Sequence, residues 1–242
     1  MTGFTDRTIL LTGATRGIGA CLAERLLEYG ATLILPARDP SALPEGAGIT
    51  PIRCDLSEPG QVRALAQQVA RDHPGCSGVI NNAAIMVHTD LAGPHPATDR
   101  IEAEIATNLT ATVLLSSLLL PVLARNGGFL CNVTSGLALT ANADAAVYCG
   151  TTAGVSNFTR GLRNQIRAGG LRVSVTECLL PVVDTSLSNG NPEGKMPPSV
   201  AADQILRAIQ EEREQCHIGK ARLLPPLLRL MPGRTHQMMA RR

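Results

Sequence analysis

A chain of 242 residues is long enough to bury a full core as one domain. Its formal net charge of +2 argues against a nucleic-acid partner, and an aromatic content of 2% without Trp excludes a stacking platform for single strands. Seven widely spread cysteines without a CxxC read as reduced thiols of a cytoplasmic protein, and five scattered histidines suggest no metal site. Residues 1–7 lack the apolar core of a signal peptide. The leucine-rich run Leu109–Leu123 is interrupted by Thr110, Thr112, Ser116 and Ser117 and is too short to span a bilayer, so no integral membrane segment is expected. The three N-x-T triplets, at Asn108, Asn132 and Asn157, lie in apolar-periodic segments and read as chance matches to a glycosylation signal.

The first element is a short apolar run, Ile9–Leu11, that ends in Thr12-Gly13-Ala14-Thr15-Arg16-Gly17-Ile18-Gly19. Leu22, Leu26 and Leu27 then share a helical face, so the stretch reads as strand, tight turn, helix. Such a turn offers backbone N–H groups and the positive end of a helix to a phosphate, and glycine lets that phosphate approach. Ala31–Leu35 is a second strand, followed by Ala37-Arg38-Asp39. Ile49–Cys54 is a third, ended by Asp55 and Leu56, and Val62, Leu65, Ala66 and Val69 recur at helical spacing. Gly78–Ile80 is a fourth strand running into Asn81-Asn82-Ala83-Ala84, and a long apolar helix extends from Asp99 to Ala124. Phe129–Val133 leads to Thr134-Ser135-Gly136, and Val155, Phe158, Leu162 and Ile166 mark the helix that contains Tyr148.

Leu171–Leu180 is a sixth strand. The Pro/Gly/Asn-rich stretch Pro181–Pro198 reads as a mobile substrate loop, and Ser199 as the cap of a helix with Ile205, Ala208 and Ile209 inward. The tail Lys220–Arg242 has six basic residues, five leucines and no acid. It reads as a docked element with a solvated basic face, with a membrane-surface or partner-binding segment as the alternative. Alternating strand and helix signals predict an α/β fold of one domain over residues 1–242: a Rossmann-type, doubly wound parallel sheet with helices on both faces.

The GxxxGxG spacing from Gly13 to Gly19 resembles the cofactor loop of the short-chain dehydrogenase/reductase family. Asn81-Asn82-Ala83-Ala84 resembles that family's NNAG segment, with alanine last. Ser135, Tyr148 thirteen residues later, and Asn108 in Thr107-Asn108-Leu109 match its catalytic Ser, Tyr and Asn. The resemblance runs from Arg7 to about Leu180. It implies a nicotinamide dinucleotide held by Gly13, Thr15, Arg16, Gly17, Ile18 and Gly19. Asp55 and Leu56 would contact adenine, Asn82 and Ala83 would line the cofactor, and Pro181 and Thr185 would lie near the nicotinamide. It also implies that Tyr148 exchanges a proton with the substrate oxygen, that Ser135 hydrogen-bonds that oxygen, and that Asn108 holds a relay water through its backbone. The substrate would be a small carbonyl or alcohol compound. Subunits would pair through the leucine-rich helix and the Tyr148 helix as a homodimer or homotetramer.

Two departures matter: the catalytic lysine, and the stretch after the sixth strand, where Pro181-Val182-Val183-Asp184-Thr185 stands in place of the family's usual Pro-Gly before a Thr. The family's YxxxK places a lysine one helical turn after the tyrosine, and Thr152 stands there. The only lysines are Lys195 and Lys220. Without that cation Tyr148 is expected to titrate near an ordinary phenol, at about 10, which favours reduction over oxidation. The end of the second strand carries Ala37 and Arg38 where an acidic residue would select NAD(H). With Arg16 in the glycine loop, the guanidiniums suit a 2′-phosphate, hence NADP(H). Two functions remain: an NADPH-dependent carbonyl reductase with an altered catalytic set, or a nucleotide-binding relative without ordinary redox turnover, regulatory or a non-redox cyclase or isomerase.

Overall fold

The structure, a computed structural model, describes residues 3–88, 90–188 and 193–240. Residues 189–192 of the expected mobile loop and 241–242 of the tail lie outside the described residues.

Seven strands form one sheet: β1 (Thr8–Leu11), β2 (Thr32–Ala37), β3 (Ile49–Arg53), β4 (Cys76–Asn81), β5 (Phe129–Ser135), β6 (Ser174–Leu180) and β7 (Gln215–His217). Every pairing is parallel, in the order β3-β2-β1-β4-β5-β6-β7. The helices are α1 (Gly17–Glu28), α2 (Pro59–Asp72), α3 (Thr98–Ile105), α4 (Ala111–Arg125), α5 (Ala146–Ala168), α6 (Pro198–Gln210), α7 (Leu224–Leu230) and α8 (Pro232–Ala240). This is the Rossmann-type architecture expected from the alternation of strand and helix signals.

Strand side chains alternate between two cores. Ile9, Leu11, Leu33 and Leu35 pack with Leu22 and Leu26 of α1 and Ile205 and Ile209 of α6. Leu10, Ile34 and Val79 pack on the other face with Val62 and Val69 of α2, Leu115 and Leu119 of α4, and Leu162 of α5. Because each crossover helix covers a face, these strands are buried on both sides and read as nearly continuous apolar runs. The edge strand β3 holds Pro51, where a missing donor is tolerated.

Several boundaries differ from the sequence expectation. The sixth strand starts at Ser174, because Gly170, at φ 61°, turns the chain out of α5 first. Ser199 is not the cap of α6: Pro197 is, with Pro198 at the first helical position, where a missing N–H costs nothing. The strand β7 was not anticipated, because its three residues, Gln-Cys-His, carry no apolar run and are strand only by pairing with β6. The long helix runs unbroken over Thr98–Arg125, 28 residues, and by length and composition it is long enough to cross a bilayer, unlike the shorter run read from sequence. Its Leu115, Leu119 and Leu123 are packed in the core beneath the sheet, which makes it a core helix. It contains a five-residue π-turn, Ala106–Thr110, centred on Asn108.

All seven cysteines are free. Asn108 and Asn132 are buried. The tail folds back on the body, where Asn142 Nδ2 donates to the Met239 carbonyl at 3.1 Å, and Thr235 Oγ1 ties α8 to α7 within the tail by donating to the Leu227 carbonyl at 3.1 Å.

Candidate active site

β1 and β4 are neighbours in space whose crossovers depart to opposite sides, so a crevice opens beyond their carboxyl ends. Two loops floor it. Thr12 joins them: its Oγ1 accepts from the backbone N–H groups of Asn82 and Ala83, each at 3.0 Å. Asn82 Nδ2 donates back to the Thr12 carbonyl at 3.1 Å. The sequence reading gave Thr12 no role of its own.

The glycines are demanded by contact. A Cβ on Gly19 would lie 1.9 Å from the Gly13 carbonyl oxygen, and one on Gly17, at φ +58°, would lie 3.1 Å from Thr185 Cγ2. Arg16 occupies the N-cap of α1 and makes no side-chain cap bond, and the first turn carries no acid, so the helix's leading N–H groups remain for an anion. From this end a groove of about 370 Å³ extends across the sheet edge. Gly13, Thr15, Arg16, Ile18 and Gly19 line its start. Arg38 lies at the end of β2, Asp55 and Leu56 after β3, and Asn82, Ala83 and Thr185 toward the other end. Asp39 also lines the groove, but its carboxylate accepts from Ser41 N at 3.0 Å and Ser41 Oγ at 2.7 Å, which holds its pKa low and ties it into a local turn. The cradle left by the glycines and the open helix end fit a dinucleotide pyrophosphate.

A second, wider cavity of about 1030 Å³ adjoins the groove, and the two share Ile18, Asn82, Ala84, Thr185 and Leu187 as a common wall. Ser135, Tyr148 and Pro181 line this cavity rather than the groove. Ser135 ends β5, and its Oγ accepts from Leu137 N at 3.1 Å. Its hydroxyl acts on the phenol of Tyr148, on the first turn of α5, and favours the ionised form. Tyr148 is 9% exposed. Burial pushes its pKa up to about 12, and the Ser135 contact pulls it down only in part. The expectation of an ordinary phenol is therefore corrected upward. Counting the missing cation leaves out desolvation, which the sequence does not display.

Asn108 lines neither cavity. Its Oδ1 accepts from Ile85 N at 2.9 Å, its Nδ2 donates to the Ile85 carbonyl at 2.7 Å, and Nδ2 reaches Thr151 Oγ1 at 3.3 Å. The side chain thus clamps the loop after β4 onto the π-turn, a backbone irregularity common at functional sites. The Asn108 carbonyl accepts from Thr112 Oγ1 at 3.0 Å. Thr152 lies one turn beyond Tyr148 and turns its hydroxyl onto its own helix, donating to the carbonyls of Tyr148 at 2.8 Å and Cys149 at 3.1 Å.

Glu104 also escaped the sequence reading. It is fully buried one helical turn before Asn108, and its Oε2 accepts from Val87 N at 3.0 Å. Oε1 has no hydrogen-bond partner among the described residues. Burial raises its pKa, and its charge opposes ionisation of Tyr148. The signal available was its position: a carboxyl four residues before Asn108 shares that residue's inward face.

The family model for short chain dehydrogenases matches residues 7–195. The chain belongs to that family. Among short-chain dehydrogenases, it is 35% identical to the oxidoreductase DltE of Bacillus subtilis over 189 residues, covering 76% of this chain and 74% of that protein. It is 31% identical to the ketoacyl reductase HetN of Nostoc sp., covering 96% of this chain and 85% of that protein. A short chain dehydrogenase from Burkholderia cenocepacia, crystallised with NADP, superposes with a TM-score of 0.88 at 26% identity over 98% of this chain and 99% of that one. A relative from Burkholderia phymatum, in complex with NAD, superposes at 0.84 over 95% and 94% of the two chains, and at 21% identity it speaks for the fold alone. The short-chain dehydrogenase match supports an oxidoreductase that uses a nicotinamide dinucleotide and a small-molecule substrate.

Proposed function

We propose that the protein is an NADPH-dependent reductase of a carbonyl group, acting through a Ser-Tyr pair without the family lysine. The observation that carries this reading is that Ser135 and Tyr148 together line the wall of the wide cavity, which meets the dinucleotide groove along a shared wall. The dinucleotide, when bound, supplies the hydride. Tyr148 donates its proton to the carbonyl oxygen, and Ser135 orients that oxygen with a second hydrogen bond. Asn108 holds the Ile85 loop against the helix and so fixes the cavity wall. Thr185 borders the junction of the two cavities, and Pro181 lines the wide one. Hydride transfer to a panel of ketones, read by loss of NADPH absorbance, tests the reading. A panel on which Tyr148→Phe turns over as fast as the parent protein removes it.

Support for NADP(H) comes from Arg16 and Arg38 in the groove, from the engagement of Asp39 by Ser41, and from the NADP-bound relative. Arg38→Ala is expected to weaken NADPH by roughly 10- to 100-fold, the worth of a charge-assisted bond to phosphate. NADH should change little. Equal losses in a fluorescence titration of both would remove the assignment.

One observation favours a second reading, dinucleotide binding without redox turnover: Thr152 commits its hydroxyl to helix carbonyls where the family's lysine is expected. NADPH binding measured beside the hydride assay separates the two.

We read the chain as one domain of a cytoplasmic homodimer or homotetramer, paired through the outer faces of α4 and α5. Leu118 on α4 is 43% exposed, a large apolar group that a symmetric contact would cover. Light scattering that returns a monomer mass at micromolar concentration rejects this assembly.

A further inference from the structure

The wide cavity is built from unusual materials for so small a set of aromatics. Its aliphatic lining includes Leu137, Val182, Leu223, Leu224 and Leu227, and four of the chain's six methionines, Met86, Met196, Met238 and Met239, also face it. Among the described residues Tyr148 is its sole aromatic lining residue. A volume of about 1030 Å³ stands at the top of the range for cavities that take drug-sized ligands. A two- or three-carbon ketone would leave most of it unfilled. Flat ring systems select aromatic walls for stacking, whereas unbranched, adaptable thioethers conform to a flexible chain.

The lysines are concentrated as well. Lys195 and Lys220, the only lysines in 242 residues, both line this cavity. They come from segments that touch: Lys220 Nζ donates to the carbonyl of Gly194 at 3.3 Å, next to Lys195. Lys220 is exposed and Lys195 half-buried, and Val182, Leu223 and Met238 of the same wall are exposed too, so the lysines and these apolar side chains share the open side while Leu180, Val183 and Leu224 line the buried interior. Among the described residues, Asp144 and His88 are the other titratable residues of the wall apart from Tyr148, and His88 Nδ1 is 3.0 Å from the Asp144 carbonyl oxygen.

We infer that the cavity holds an aliphatic carbonyl compound of medium chain length whose far end carries an anion, carboxylate or phosphate, met by Lys195 and Lys220. The carbonyl part of this inference rests on the proposed reductase reading. The amphiphile part rests on the cavity alone. Burying successive methylenes against the Leu and Met walls strengthens binding roughly fourfold per carbon. An ammonium at the lip adds a point charge that serves either anion.

Titration calorimetry on the full chain with NADP⁺ present tests it, using hexanoate, decanoate, decyl phosphate and decan-1-ol as probes. Decanoate should bind roughly 250-fold tighter than hexanoate. At least one of the two ten-carbon anions should bind about tenfold tighter than the alcohol, and the tighter one identifies the anion. The double variant Lys195→Ala/Lys220→Ala should erase the preference for anion over alcohol while NADPH affinity stays unchanged. Equal affinities for hexanoate and decanoate, an alcohol that binds as well as both anions, or a preference that survives the double variant would each overturn the inference. Turnover of ketones with no dependence on chain length also overturns it, and leaves the reductase reading standing. Chain-length-dependent binding without hydride transfer to a ten-carbon oxo acid overturns the reductase reading instead, and leaves the amphiphile site in place.

Discussion

Tyr148→Phe is expected to lower NADPH-dependent reduction by about 10²- to 10⁴-fold, the usual contribution of a positioned general acid. NADPH affinity should be nearly unchanged, because the phenol lines the substrate cavity rather than the groove. The pH profile of the parent protein provides the companion result. With the phenol pushed up to about 12, Tyr148 is protonated throughout the neutral range, and its share of the reductive rate should be flat from pH 6 to about pH 10. Oxidation needs the phenolate, which at pH 7 is roughly one part in 10⁵ of the total, so alcohol oxidation should be very slow and climb with pH. Thr152→Lys would place a cation one turn from Tyr148 and should raise oxidation at neutral pH more than reduction. Steady-state rates in both directions across pH 6–11 measure all of this. A Phe variant with full activity, or an oxidation rate independent of pH, contradicts the assignment of Tyr148.

Gly19→Ala is expected to cost both folding and cofactor binding. The added methyl would sit 1.9 Å from the Gly13 carbonyl oxygen and 2.7 Å from Asn82 Nδ2, so the two loops must separate. Overpacking of this kind costs about 1–3 kcal/mol. In a domain of this size that lowers the melting temperature by about 2–4 °C per kcal/mol. Dinucleotide affinity should fall further than stability alone explains, by at least about tenfold, because the displaced atoms are those that face the pyrophosphate. Gly60→Ala is the matched control: a Cβ there meets nothing within 4 Å, and alanine favours the helix it lies in. Thermal melts and NADPH titrations of both variants decide the matter. A Gly19→Ala protein that melts and binds as the parent does would show that the loop yields more than its contacts allow.

The parts of the molecule legible in sequence are those whose signals are local. The glycine loop declares itself within seven residues, Gly13 to Gly19, and Ser135 and Tyr148 are thirteen apart in one short connection from strand to helix. The strands were legible because burial on both faces makes them continuous apolar runs. The parts missed are those made by distant residues meeting. Thr12 acquires its role only when Asn82 and Ala83 arrive from seventy positions away. Met239 closes the cavity because Asn142 donates to its carbonyl across 97 residues. β7 is a strand by pairing, not by composition. The raised pKa of Tyr148 belongs to the same class, since burial is a property of the assembled walls and not of Tyr148 and its sequence neighbours.

The single hydroxyl of Thr12 has a thermodynamic consequence. Because it holds two consecutive amides of the loop after β4, and Asn82 returns a bond to the Thr12 carbonyl, neither loop can be displaced without the other. The conformational entropy of ordering the ligand-facing backbone is therefore spent when the chain folds, not when a ligand arrives. Binding begins from a rigid receptor, so contact energy at the phosphates appears as affinity instead of being consumed in immobilising loops. The same bracing makes the groove's two ends one mechanical body: a ligand fragment that fills only the adenosine half finds the opposite half already in its final shape.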